Sequence, residues 1–307
     1  MFAVLKRNPT ISRLRLCRPE HNILSNCYST RLEFPEPPVH LPNLRRFDGP
    51  SNFVCAFTPG LLTHITILWE RLQISTSPCT SQIISLLNPG IVRFVNIVHE
   101  WNPSLVSLIA CHIPGLEQLI IRRASAYMDI NSREKARNFL PYVEEALPSF
   151  FSLTALHIHM GITNLYEEDL DLDEEFQIVR RWAEKSSTLL SVTLPMSNTC
   201  WIRKDGVWFP ELQRAVHTAK CWTAMQPDTL RHFKWFFRTV VTSPSLPAEY
   251  NDFATWLVGR QAMLVVRDKI ENTGDLPDFE FIQGPDNSLE SLITFLVSDS
   301  TPSNGHF

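Results

Sequence analysis

The sequence lacks a long hydrophobic run and carries little net charge. It never approaches the roughly 18 consecutive apolar residues of a membrane-spanning helix, and its brief apolar start is too short for a secretory signal. The net charge is −4 at pH 7 over 307 residues. We therefore expect neither a membrane nor a nucleic acid as partner, because the overall charge does not attract a polyanion.

Motifs of catalysis and cofactor binding are also missing. The chain has only ten glycines, and none belongs to a Gly-x-Gly-x-x-Gly, a phosphate-binding loop or a Gly-x-Ser-x-Gly pattern. The seven cysteines never occur as Cys-x-x-Cys, which indicates free thiols in the cytoplasm or nucleus. His157 and His159 alternate along one segment, but two ligands do not make a zinc site. The sequence thus predicts no enzyme, no cofactor and no metal.

What the sequence does contain is a recurring six-residue motif with apolar residues at its first, fourth and sixth positions. Full copies begin at Ile11, Leu62, Val92, Leu116, Leu153 and Leu189, and a partial copy includes Leu44 and Phe47. The last two apolar residues alternate, as a strand with one buried face requires. This Leu-x-x-Leu-x-Leu pattern is typical of leucine-rich repeats.

Segments with helical spacing separate several of these motifs. Residues 102–114, 133–148 and 173–186 each place apolar side chains on one helical face, and a proline or serine ends each segment. The sequence therefore predicts an α/β fold: a leucine-rich-repeat solenoid of helix–strand repeats, with a parallel curved sheet, over residues 1–200. Because the motifs are unevenly spaced, we expect a degenerate solenoid with inserted loops.

The segment WIRKDGVWFP, residues 201–210, marks the end of the repeats. Its Asp-Gly pair favours a two-residue type I′ turn and hence a β-hairpin. The hairpin is interpreted either as an end cap for the last strand or as an aromatic ledge for a peptide, with Trp201, Arg203 and Trp208 as candidates. A helical C-terminal segment should complete the module to residue 298, followed by a disordered tail at 299–307.

Polar residues occupy the strand positions that point away from the predicted core. On a curved solenoid such residues line the concave sheet, the surface on which repeat proteins bind their ligands. The alternative is that these positions are polar only because they face water. The candidate protein-binding residues are Arg13, Arg15, Thr66, Asn96, Gln118, Arg122, His157, His159 and Thr193.

Several segments resemble the leucine-rich region of fungal F-box-like proteins, among them TPGLLTHITILW, IPGLEQLII and WIRKDGVWFP. The resemblance covers roughly residues 5–260. It implies a non-enzymatic scaffold like the substrate-binding part of an F-box ubiquitin-ligase receptor, with a ligase adaptor as second partner if an F-box lies upstream. No F-box is visible before the first motif at Ile11. A truncated or decayed family member, or a stand-alone interaction scaffold, therefore remains the alternative.

Overall fold

The protein is described from a computed structural model, which defines residues 2–16, 37–59, 61–69, 80–124, 132–160 and 172–211. The chain divides into two compact units, Met1–Asn164 with Arg181–Cys200 and Leu165–Arg180 with Trp201–Phe307. The helices predicted for residues 212–298 and the tail predicted at 299–307 lie outside the described residues. Within these residues, no helix is both long and apolar enough to cross a membrane.

The described chain combines helices and strands in an α/β fold with a large, mostly parallel sheet. The helices are α1 (Phe2–Arg7), α2 (Thr80–Ser85), α3 (Pro103–His112), α4 (Ser132–Ala146) and α5 (Leu172–Lys185), and 3₁₀ turns occupy Ser51–Ala56 and Leu147–Ser149. The strands are β1 (Arg13–Arg15), β2 (Val39–Leu41), β3 (Arg46–Pro50), β4 (Phe57–Pro59), β5 (His64–Leu68), β6 (Arg93–Val98), β7 (Gln118–Arg123), β8 (Ala155–His159), β9 (Ser191–Thr193), β10 (Cys200–Lys204) and β11 (Val207–Pro210). The three helices predicted from apolar spacing are confirmed as α3, α4 and α5.

Seven strands of the first unit pair side by side, all in parallel, in the order β1-β3-β5-β6-β7-β8-β9. The short strands β2 and β4 form a separate parallel pair. Parallel neighbours need a crossover connection rather than a tight hairpin, and α3 and α4 lie in two of these connections. The register aligns one central residue of each strand in a single row: Leu14, Phe47, Ile65, Phe94, Leu119, Leu156 and Val192.

The apolar positions of the motif form the core of this unit. In four copies every apolar residue is at most 2% exposed: Leu62, Ile65, Ile67, Leu116, Leu119, Ile121, Leu153, Leu156, Ile158, Leu189, Val192 and Leu194. Burying such a side chain contributes about 1.5–3 kcal/mol relative to leaving it in water. The predicted burial of these motif positions is therefore confirmed, and it fixes which face of each strand points inward.

The motif copy predicted at Val92 is wrong by one residue. The inward residues of β6 are Phe94, Asn96 and Val98, each at most 4% exposed, whereas Val95 and Ile97 lie on the other face. The true motif begins at Ile91 and has asparagine at its sixth position. Hydrophobicity alone favoured the shifted frame, since β6 has apolar residues on both faces. The hydrogen bond of 3.0 Å that Asn96 Oδ1 accepts from Trp69 Nε1 offsets part of the cost of burying this amide, whose Nδ2 has no hydrogen-bond partner among the residues that the structure describes.

The predicted hairpin is confirmed in the second unit. Strands β10 and β11 pair antiparallel with Arg203 opposite Trp208 and Lys204 opposite Val207. Asp205 and Gly206 both have positive φ, 50° and 83°, as a type I′ turn requires. Glycine tolerates this left-handed conformation freely, which explains its place in the turn.

Removal of one aligned apolar residue should test the core. We expect Leu119→Ala to lower the free energy of unfolding by about 2–5 kcal/mol, because Leu119 is fully buried and a cavity would remain. Leu190→Ala is the matched control, since Leu190 is 52% exposed, and should change stability by less than about 0.5 kcal/mol. Urea denaturation measures both variants, and equal losses would contradict the inward assignment of Leu119.

Candidate binding face of the parallel strands

The seven parallel strands carry a second set of side chains opposite the core row, and these define the outer strand face. Since side chains alternate along a strand, the register places this set in three rows. The first row is Arg13, Arg46, His64, Arg93, Gln118, Ala155 and Ser191; the second is Arg15, Asp48, Thr66, Val95, Ile120, His157 and Thr193; the third is Pro50, Leu68, Ile97, Arg122 and His159.

The outer strand face is strongly basic. It carries five arginines and a single carboxylate, that of Asp48, although the whole chain has a net charge of −4. Positive charge is thus concentrated on one side of the sheet. A surface of this kind attracts anions, whatever the net charge of the protein that carries it.

Three of the arginines share the one carboxylate. Arg46 Nε donates to Asp48 Oδ2 at 3.1 Å, Arg15 Nε lies 3.5 Å from the same oxygen, and Arg13 Nη2 lies 3.7 Å from it. Burial of Asp48 would raise the pKa of its carboxyl, but hydrogen bonds from Thr66 and Arg46, with the charges of Arg46 and Arg15, lower that pKa overall. One ionised carboxylate neutralises only one of three guanidinium groups, so the described residues leave a positive excess at this end of the face.

Two histidines and two further arginines form a second basic group near the centre of the face. His157 Nδ1 and Thr193 Oγ1 are hydrogen-bonded at 2.8 Å, and the rings of His157 and His159 stack with centroids 6.1 Å apart. Burial lowers the pKa of His157, and the charges of Arg93 and Arg122 lower it further. Burial, with Arg122 and His157, lowers the pKa of His159 to about 4. Both imidazoles are therefore neutral at pH 7 in a positive local field.

Arg93 and Arg122 differ from the first three arginines because no described residue provides them with a counter-charge. Arg93 Nε is buried and has no hydrogen-bond partner in the described part of the chain. Neither guanidinium pairs there with a carboxylate; the arginine ion pairs on this face all go to Asp48. Two guanidinium groups without a carboxylate partner among the described residues give this part of the face a positive potential, which favours an incoming anion.

The structure brings most of the predicted face residues together. Arg13, Arg15, Thr66, Gln118, Arg122, His157, His159 and Thr193 all belong to the three outer rows. Thr193 is only 2% exposed, so its hydroxyl acts on His157 rather than on solvent. Asn96 is the correction: it is fully buried on the core side of β6 and cannot line the face.

Sequence reasoning missed Arg46, Asp48, His64 and Arg93. The third position of each motif is the first outward residue of its strand, and comparing this position across copies would have found Arg46 and His64. Arg93 was missed because the frame of β6 was displaced by one residue. Asp48 interrupts the apolar pattern of a partial motif, and its role becomes visible only when neighbouring strands are aligned.

The hairpin does not present an aromatic ledge. Trp201 is fully buried and Trp208 is 3% exposed, and only Arg203 of the three candidates is partly exposed. Trp201 Nε1 donates to Glu175 Oε2 at 3.1 Å, and the Trp201 ring lies 5.9 Å from that of Phe176. Trp201 therefore stabilises its own unit, and the burial of both tryptophans corrects the interpretation of this hairpin as a peptide-binding surface.

Comparison of the chain with protein-family models, with curated proteins and with solved structures gives no significant match. The relation to F-box-like proteins consequently stays a prediction. Within the described residues, no three His, Cys, Asp or Glu side chains lie together as potential metal ligands. The function of the outer strand face is thus inferred from its own charge and geometry.

The histidine pair should make stability depend on pH. The pKa of His159 is about 4 in the folded protein and about 6.5 when unfolded. Between these two pKa values the unfolded chain binds more protons than the folded protein. His159 therefore contributes at most about 3 kcal/mol to the free energy of unfolding, which is present above pH 6.5 and lost as the pH falls towards 4. Urea denaturation at pH 7 and pH 4.5 should show that His159→Gln loses less of its free energy of unfolding on acidification than the wild type does. His40→Gln, at an exposed position of β2, should match the wild type; equal losses in all three proteins would contradict this origin.

Proposed function

We propose that this protein is a non-enzymatic recognition scaffold that binds another protein on the outer strand face. The observation that carries the proposal is the excess of arginine over carboxylate on that face. Guanidinium groups donate hydrogen bonds and stay charged at every physiological pH, so they suit binding better than proton transfer. Six strand spacings make the face about 29 Å wide, enough to contact an extended segment of a partner.

The same proposal includes a degenerate leucine-rich-repeat architecture. Supporting it, each of the seven strands pairs in parallel with the next of the seven along the chain, and buried apolar motif positions recur with six of them. Stacked repeats of this kind offer an extended strand surface for binding. We place the scaffold in the cytoplasm or nucleus, where the free thiols of Cys55, Cys111 and Cys200 would remain reduced.

A role as a ubiquitin-ligase substrate receptor is the more specific form of the proposal. It rests on the resemblance to F-box-like proteins, in which the repeats present a substrate while an F-box binds the ligase adaptor. Isolation of the protein from its native cells with a cullin-ligase adaptor would support this form. A stable protein partner without any ligase component would instead favour a stand-alone interaction scaffold.

Neutralising the exposed end of the outer strand face should release the partner. The side chains of Arg13 and Arg15 are 50% and 44% exposed. We expect the double variant Arg13→Gln, Arg15→Gln to recover about tenfold less of the native partner, since hydrogen bonds to charged groups contribute about 1.5–3 kcal/mol each. Co-purification from native cells, with quantitative mass spectrometry, measures the loss.

Arg137→Gln is the control for this experiment, because Arg137 is an exposed arginine of α4 and lies outside the outer strand face. It should retain the partner at the wild-type level. Circular dichroism and thermal denaturation establish that both variants fold. Undiminished recovery of the partner with a folded Arg13→Gln, Arg15→Gln variant would refute the proposed binding face.

A further inference from the structure

Three adjacent strands bring two arginines and two neutral histidines together without a counter-charge among the described residues, and we call Arg93, Arg122, His157 and His159 the cationic cluster. Arg93 begins the first outer row on β6, Arg122 lies in the third row on β7, and the two histidines lie on β8. Both arginines act electrostatically on His157, which lies in the row between them. The cluster is therefore one electrostatic site and not a set of separate surface charges.

The cationic cluster differs from the arginines around Asp48 because it has no acidic partner among the described residues. Asp48 provides an acceptor for Arg13, Arg15 and Arg46. No carboxylate in the described residues does so for Arg93 or Arg122, and Arg93 Nε is buried without an acceptor. Guanidinium groups without a carboxylate partner keep their full positive charge, and an oxyanion placed between the two arginines would neutralise it through charge-assisted hydrogen bonds.

Apolar side chains lie between the two arginines. Val95 and Ile120 are register partners on β6 and β7, and Ile97 is the register partner of Arg122. Val95 and Ile97 are partly exposed, whereas Ile120 is 8% exposed. Charge–charge attraction is stronger beside such groups than in bulk water, because the local dielectric constant is lower. The site is suited to an anion carried on a chain that can also contact apolar surface.

We infer that the cationic cluster binds a phosphorylated serine or threonine of the partner protein. This inference rests on the proposed function, because it names the chemistry of the segment bound by the outer strand face. A phosphate monoester carries nearly two negative charges and three acceptor oxygens, which match two arginine forks and an imidazole donor. A single carboxylate offers one charge and two oxygens, and it leaves part of the cluster unsatisfied.

A single-stranded nucleic acid fits this face less well. Nucleic-acid-binding surfaces of this kind combine basic residues with aromatic rings on which the bases stack. The outer rows of the seven described parallel strands contain no phenylalanine, tyrosine or tryptophan, and the rings of His157 and His159 stack on each other. Peptide chains need no stacking platform, and the partly apolar strip between the arginines suits them.

Fluorescence anisotropy with the full-length protein tests the inference. The probes are two fluorescein-labelled degenerate nonapeptide libraries, one with a fixed central phosphothreonine and one with glutamate at that place. We expect the phosphothreonine library to bind at least tenfold more tightly than the glutamate library. Excess inorganic phosphate should compete only weakly, because it lacks the flanking peptide chain.

Variants of the cluster make the test specific. Arg122→Gln and Arg93→Gln should each weaken binding of the phosphothreonine library at least tenfold, while Arg137→Gln on α4 should leave it unchanged. If Arg93→Gln fails to fold, Arg93→Lys retains the charge but not the guanidinium fork, and it should bind several-fold more weakly than the wild type. In addition, bound phosphopeptide should raise the pKa of His157 and His159 in imidazole NMR titrations, since a dianion favours the protonated ring.

Three outcomes would overturn the inference. Equal affinity for the glutamate and phosphothreonine libraries would refute the phosphate chemistry. Tighter binding of a mixed-sequence single-stranded RNA, lost in the same variants, would refute a protein ligand. The third outcome combines two results: the protein binds neither peptide library, but its Arg13→Gln, Arg15→Gln variant loses the native partner. This outcome would refute the inference alone and leave the proposed function unaffected.

Discussion

Adjacent strands of the first unit share a register that aligns one apolar residue of each strand in a single buried row. The row runs from Leu14 to Val192 through seven strands, and most of its members are at most 2% exposed. Parallel pairing gives each strand neighbours that are distant in sequence, so the buried row fixes the alignment that local propensity cannot. The buried row also determines the outer strand face. Side chains alternate along a strand, so each residue next to an inward-pointing one points outward.

This dependence explains how much the sequence could predict. Wherever apolar residues occur on one face only, as around Leu119 and Leu156, the motif predicts both burial and the outward residues between them. In β6 both faces carry apolar residues and the core includes a polar one. There the sequence predicts a strand but not which of its residues point inward. That single error placed Asn96 on the outer strand face and left Arg93 out of it. The Trp69 hydrogen bond that permits Asn96 in the core joins residues 27 positions apart, which no local pattern contains.

The hairpin shows the opposite balance between local and tertiary determinants. Its turn is encoded by two adjacent residues, Asp205 and Gly206, whose positive φ angles select the type I′ geometry and hence the pairing. The burial of its tryptophans, in contrast, depends on residues that are distant in sequence. Trp201 is buried because Glu175 accepts its indole N–H and Phe176 packs beside its ring. An aromatic residue in a hairpin therefore reveals its exposure only after the partner helix is placed.

The register that aligns the core residues also places positively charged side chains next to each other on the outer strand face. Arg13 and Arg46 are direct register partners, as are Arg122 and His159, at strand spacings of about 4.8 Å. Like charges held that close repel each other, and Asp48 relieves this repulsion at one end of the face. At β8 the repulsion is reduced in another way, because the lowered pKa values of His157 and His159 keep both imidazoles neutral. A carboxylate beside Arg93 and Arg122 would stabilise the fold by pairing with them, and the described residues provide none there. The proposed binding of an external anion rests on this local excess of positive charge.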